Sequence, residues 1–420
     1  MPAEEQPTLD AQLDAARNDM LARIDQPPLG AVRARAHAHR ARRRRVVTAA
    51  VATLAVLTGG AVALRPQLGG DGADRQAPIV AAPVSASPSP SATDEITTDG
   101  ISLIGLTAGA EVEELPGRIG QVAFVDASTG YVLNDCAGDK TCVRMLARTT
   151  DGGRRWETSP VGTEQEITEL NAFAGGSVVL TTTGGSLVSQ DSGRTWSPGS
   201  DEGASTDALP DGDVMCRRPV ENGAFKTAAL STGGRAVALA TQPELDVRWV
   251  APAATVSHAW WVAGIDHYGR PAVAVTRDSG QNWQLESFDV DGVTGISVAV
   301  RDRDVYAILT GDGDALKAIY HSDDGATFHP TRAAGSDLKP GSVAGEAVPL
   351  PDGRLLVASG GATWWVSADH GATFEKLTGA MPSVGELRRT AAGWVADNLY
   401  GTGYVAFSTD GATWQKLWIK

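Results

Sequence analysis

The chain has 420 residues, a net charge of −14, 42% hydrophobic residues, 48 glycines, 22 prolines and three cysteines. That length and apolar content suffice for one large domain, and the acidity excludes broad binding to nucleic acid or acidic surfaces without a local basic patch. Three cysteines exclude a small disulfide scaffold, and no CxxC metal spacing is present.

Residues 1–45 hold few large apolar side chains. Leu9, Leu13, Met20 and Ile24 fall on one face of a short helix that Thr8 could cap, with Asp10 and Asp14 at the positive end of its dipole. The segment ends in seven arginines, Arg33, Arg35, Arg40, Arg42, Arg43, Arg44 and Arg45. Residues 46–64 then run without a charge. At roughly 1.5 Å rise per residue they are just long enough to span a hydrocarbon core of about 30 Å. The arginines on one side, against Arg65 alone close by on the other, put the N-terminus in the cytoplasm and the rest outside. A signal peptide cleaved after Ala61, Val62 and Ala63 is the competing reading, but the long segment ahead of the span favours an uncleaved anchor. Topology also explains the arginine run better than nucleic-acid contact does. The expectation is a basic cytoplasmic segment (1–45), a transmembrane helix (46–64) and a single-pass protein in the cell membrane.

Residues 65–99 are rich in Pro, Ala, Ser and Gly, most densely between Ala82 and Pro90, and cannot bury enough apolar surface to fold. They read as a disordered linker to an extracytoplasmic domain over 100–420. From residue 65 onward the chain carries 27 basic and 44 acidic side chains, so no nucleic-acid partner is expected. Cys136 and Cys142 lie six apart and could close a disulfide across a hairpin loop outside the cell, whereas Cys216 has no obvious partner. The seven histidines do not cluster with cysteine, and His37 and His39 lie in the arginine run. Neither a metal nor a cofactor is expected.

One pattern recurs from residue 149 onward: a hydroxyl residue, then Asp, Gly and an aromatic. The clear copies are Thr149, Asp151, Gly153 and Trp156; Ser189, Asp191, Gly193 and Trp196; Thr276, Asp278, Gly280 and Trp283; and Ser367, Asp369, Gly371 and Phe374. Two are imperfect. His321 takes the hydroxyl position ahead of Asp323, Gly325 and Phe328, and the last copy, Ser408, Asp410, Gly411 and Trp414, is one residue short. The glycines are spaced by 40, 87, 45, 46 and 40 residues. The longest step is two periods, which implies seven units of about 40 to 45 residues. An insertion in a six-bladed ring remains the alternative. Within a unit, short apolar runs such as 177–180 and 187–189 are separated by Gly184 and Gly185, as in a β-meander. The Asp can accept hydrogen bonds from turn N–H groups, the Gly supplies positive φ, and the aromatic packs between sheets. These positions therefore read as structural. A calcium loop would need several oxygen ligands alternating in one turn, and neighbours such as Asp324 are only occasional.

The pattern resembles the Asp-box, or BNR repeat, of the sialidase-like β-propellers, here in the layout of a membrane-anchored bacterial member. The resemblance implies an all-β, seven-bladed β-propeller, preceded by the single transmembrane helix and linker. True sialidases clamp a carboxylate with three arginines, activate a Tyr nucleophile with a Glu and use an Asp as acid/base. The first-blade Arg-Ile-Pro motif of that family is matched only by Arg118 in Gly117, Arg118, Ile119 and Gly120, with the Pro lost. Tyr404, in the last blade, lies roughly where the nucleophile would be sought, and core packing is the other reading of it. Arg248, Arg301, Arg388 and Arg389 supply further material for a clamp without a spacing that makes one. The pairs Trp260–Trp261 and Trp364–Trp365 should each put one ring on either face of a strand, as filler between blades or as a sugar platform.

The functional expectation is a non-catalytic, membrane-anchored propeller that binds an unknown extracytoplasmic protein or glycan. One alternative is a sialidase-like glycoside hydrolase. Another is a sensor signalling through its short cytoplasmic head, a layout similar to that of anti-sigma factors but without their zinc-binding His and Cys.

Overall fold

The computed structural model describes residues 95–105, 115, 118–136, 142–200, 205–219, 224–255, 257–332, 339–379, 381–397 and 404–417. The predicted cytoplasmic segment, transmembrane helix and most of the linker lie outside these residues. Among the described residues no helix is long and apolar enough to cross a membrane.

Seven sheets follow one another along the chain and make a seven-bladed β-propeller. Blade 1 comprises Arg118–Phe124, Gly130–Asp135, Met145–Thr149 and Glu157–Pro160, and blade 2 comprises Ile167–Ala172, Val178–Thr182, Gly185–Ser189 and Ser197–Pro198. Blade 3 has three strands, Val214–Pro219, Phe225–Leu230 and Ala236–Ala238. Blade 4 is Leu245–Val250, Trp260–Asp266, Pro271–Thr276 and Gln284–Ser287. Blade 5 is Gly295–Arg301, Asp304–Thr310, Leu316–Ser322 and His329–Arg332. Blade 6 is Val348–Pro349, Leu355–Ser359, Thr363–Ser367 and Glu375–Lys376. Blade 7 is Glu386–Arg389, Trp394–Asp397, Val405–Ser408 and Thr413–Leu417. The first strands of blades 1 and 2, and of blades 3 to 6 in turn, lie side by side and form the inner wall.

The ring is closed from the N-terminal side. The hairpin Glu95–Thr98 and Ile101–Ile104 adds to the outer edge of blade 7, with Leu103 opposite Trp414 in parallel register. Both side chains are fully buried. Phe124 of blade 1 stacks on Phe407 of blade 7 at 3.9 Å between ring centroids.

A four-stranded sheet cannot bury both faces alone, so the core lies between blades. Trp260 packs with Val214 and Ala228 of blade 3, while Trp261 packs with Val298 and Phe328 of blade 5. Trp364 meets Trp414 of blade 7, and Trp365 packs against the cluster shared by blades 5 and 6. Each pair thus divides across the two faces of its strand, as alternation requires.

The repeated turns have one buried centre, the hydroxyl. Ser189 Oγ donates to Asp191 Oδ1 at 2.8 Å and accepts the N–H of Gly193 at 2.7 Å. Thr149, Thr276 and Ser367 do the same. The turn of blade 5 corrects the register read from the sequence. Ser322, not the place of His321, supplies the hydroxyl, and the carboxylate is Asp324 rather than Asp323. It shares the short form of the last copy, in which Ser408 serves Asp410 and Gly411. Alignment on the glycine alone hid the one-residue deletion.

The glycines also mark contact with the preceding blade. A Cβ on Gly280, whose φ is +93°, would come within 2.6 Å of Leu239 in blade 3, and one on Gly153 within 2.5 Å of Leu417 in blade 7. Gly193 meets Leu146, Gly325 meets Trp261, Gly371 meets Ile319 and Gly411 meets Val348 in the same way. Blade 3 fills the long gap without a repeat of its own. Gln242 takes over there: its Oε1 accepts from the N–H and hydroxyl of Thr227, and its Nε2 donates to the carbonyls of Thr227 and Leu239. Thr206 bridges Leu239 in parallel and stands in for the missing fourth strand.

Candidate functional site

The two residues proposed for chemistry, Arg118 and Tyr404, fall in blades 1 and 7. Arg118 opens the first strand of blade 1, and its side chain lies outside the described residues. Tyr404 is buried in the core between blades 6 and 7, and its hydroxyl has no hydrogen-bond partner among the described residues. Burial, aided by the nearby Asp397 charge, pushes that phenol well above its ordinary range. Cys136 and Cys142 are disulfide-bonded, and Cys216 is a buried free thiol.

The polar groups that do converge sit on the innermost strands. Trp249, near the end of the first strand of blade 4, donates from Nε1 to Glu346 Oε1 at 3.1 Å just ahead of blade 6. Blades 4 and 6 are not neighbours, so this bond reaches past blade 5. Burial raises the Glu346 carboxyl to about 7, although the Trp249 hydrogen bond and the Arg389 charge act the other way. Arg301 of blade 5 and Arg389 of blade 7 both lie over the Trp394 ring, at 5.8 and 6.0 Å, and Arg301 also donates to the carbonyl of Asp410. Arg388 forms a buried ion pair with Asp397 at 2.7 Å. Arg248 is half-exposed beside Asp246 at 3.5 Å.

A second polar group lies across blades 2 to 4. Glu169 lies on the inner strand of blade 2, and burial raises its carboxyl to about 8 against the pull of Arg217. Arg217 donates to the carbonyl of Arg248 and lies over the Phe225 ring at 4.9 Å. Glu169 Oε1 and both amide atoms of Asn171 lack hydrogen-bond partners among the described residues. The sequence carried one signal for this group, a Glu and an Asn inside the inner strand Ile167–Ala172, and for Trp249 with Glu346 it carried none.

Beyond the axis, Ala362, Trp364, Leu377, Met381 and Pro382 line an open groove of about 580 Å³ on blade 6. Trp364 Nε1 donates to the carbonyl of Pro382 at 2.7 Å and fixes its floor. Tyr268 is 72% exposed at the tip of a blade 4 hairpin, with the Arg270 guanidinium over its ring at 5.1 Å.

No family model matches this chain, and no curated protein matches it in sequence. Solved structures do match. YCF48 from Cyanidioschyzon merolae is 14% identical, with a TM-score of 0.42 over 66% of this chain and 90% of that one. YCF48 bound to D1 peptide is 18% identical, with a TM-score of 0.33 over 74% of this chain and 87% of that one. The GH74 enzyme of Niastella koreensis is 14% identical, with a TM-score of 0.38 over 71% of this chain and 65% of that one. The seven-bladed β-propeller rests on the chain's own seven sheets.

Proposed function

We propose that this chain is a non-catalytic Asp-box propeller, held outside the cell by one membrane span, that binds a protein or glycan partner on its loop faces. The observation that carries the reading is the state of the axial charges. Glu346, Arg388 and Arg301 are each engaged by Trp249, Asp397 and the Asp410 carbonyl. Groups so held brace the ring, and a glycosidase would need two carboxyls free to flank a bond in an open cleft. The burial of Tyr404 supports the same reading against a sialidase-like centre. The Cys136–Cys142 bond supports an oxidising compartment. The blade 6 groove and the exposed Tyr268 are the contact surfaces to test first. A photo-crosslinker placed at Met381 or Tyr268 of the full chain in its host membrane should trap one defined partner. Turnover of a sialoside by the full chain, lost in Tyr404→Phe, would overturn the reading.

A further inference from the structure

We propose that Asp304, His321 and His370 bind a divalent transition-metal ion and clip blade 5 to blade 6. Asp304 opens the second strand of blade 5, and His321 lies next to the end of its third strand. His370 comes from the repeated turn of blade 6, in the left-handed region at φ 56°. One donor atom from each residue falls within 4.8 Å of the other two. His321 Nε2 is 2.9 Å from Asp304 Oδ1, and the two imidazole rings lie 4.3 Å apart at 23°.

Two imidazole nitrogens and one carboxylate oxygen form a donor set suited to Zn²⁺, Co²⁺, Ni²⁺ or Cu²⁺ rather than to Mg²⁺ or Ca²⁺, which prefer oxygen throughout. Three protein ligands leave further coordination positions to water. With metal–ligand distances of about 2.0 to 2.2 Å, small side-chain rotations bring the three donors onto one ion. His370 is exposed, so an ion can reach the site from solvent.

A further contact fits a ligand role. Tyr306, buried beneath the cluster, places its hydroxyl 3.1 Å from His370 Nδ1. Such outer hydrogen bonds fix the ring and tautomer of a ligating His. The turn itself does not call for either imidazole. The position of His370 is filled by Gly152, Ser192 and Ser279 in three other repeats, and that of His321 by Val188, Val275 and Val366. The competing account is a plain His–Asp pair with a neighbouring stacked ring.

The test is titration of the full chain, stripped with a chelator and carrying His37→Ala and His39→Ala so that the other close pair contributes nothing. Zn²⁺ should bind at one equivalent and raise the melting temperature, and Co²⁺ should give visible d–d absorption. His321→Val with His370→Ser, each borrowing the residue of another repeat, should abolish both effects. Tyr306→Phe should weaken binding by about 10- to 100-fold while the stoichiometry stays at one. If the double variant does not fold, Asp304→Asn and Tyr306→Phe decide the matter alone. Absence of saturable binding at one equivalent, or equal affinity in these variants, would overturn the proposal.

Discussion

Trp249 Nε1 and Glu346 Oε1 meet at 3.1 Å and join two blades that are not neighbours in the ring. The bond spans blade 5, and its acceptor is a buried carboxyl.

That carboxyl and Glu169 make stability depend on pH in a defined sense. Both carboxyls have native pKa values, about 7 and about 8, raised by burial above the unfolded range. The native state then holds protons that the unfolded chain has released, so the stabilising contribution is complete below about pH 4 and declines as pH rises toward 7 or 8. Urea midpoints should fall between pH 5 and pH 8. Glu169→Gln should flatten that slope and gain about 1 kcal/mol or more at pH 8.

The contact of Gly280 with Leu239 predicts a coupled pair. Gly280→Ala introduces a Cβ at positive φ and at 2.6 Å from Leu239. It should cost about 1 to 3 kcal/mol by overpacking. Leu239→Ala should cost about 2 to 5 kcal/mol. Denaturation of the double variant should show less than the sum, because the space left by Leu239 accepts the new methyl.

The turn hydroxyls set a register that substitution can read. Ser189→Ala leaves the buried N–H of Gly193 without its acceptor and should cost about 1 to 3 kcal/mol, while Ser189→Thr should be near neutral. Asp324→Ala should lower the melting temperature and Asp323→Ala should not.

Acid should loosen the same turns. The N–H and hydroxyl of Thr195 hold Asp191 at about 2, and the N–H groups of Thr327 and Ala326 hold Asp324 at about 2. These contributions are present above the unfolded pKa near 4 and are lost as pH falls toward 2. Thermal melts from pH 5 to pH 2 should therefore drop, and Asp191→Asn should drop less steeply.

Tyr404→Phe separates packing from chemistry. A buried hydroxyl with no hydrogen-bond partner among the described residues contributes nothing favourable, so its removal should leave stability unchanged or raise it by about 1 kcal/mol. Calorimetry on the two proteins checks this.

The spacing of Gly153, Gly193, Gly280, Gly325, Gly371 and Gly411 was enough to read seven blades, because the turn chemistry is local and repeats at the period of the fold. The split of the two Trp pairs was legible for the same reason, since strand alternation is local. Blade 3 was visible only as a length, because Gln242 locks its turn through a long-range amide that no short pattern encodes. The axial group was not legible. Trp249 and Glu346 are 97 residues apart, and only the stacking of consecutive blades brings them together. The three candidate metal ligands were hidden likewise, although His321 at an unexpected place in its repeat was a local trace of them.

The seat of Gly153 against Leu417 has a consequence for the order in which the protein is made. Each repeated turn leans on the blade synthesised before it, except the first, whose support is the final strand of blade 7. The nascent chain can stack blade on blade as it emerges, but blade 1 keeps an unfilled flank until residue 417 is free. A chain cut short before that strand therefore loses a support at its beginning as well as a strand at its end.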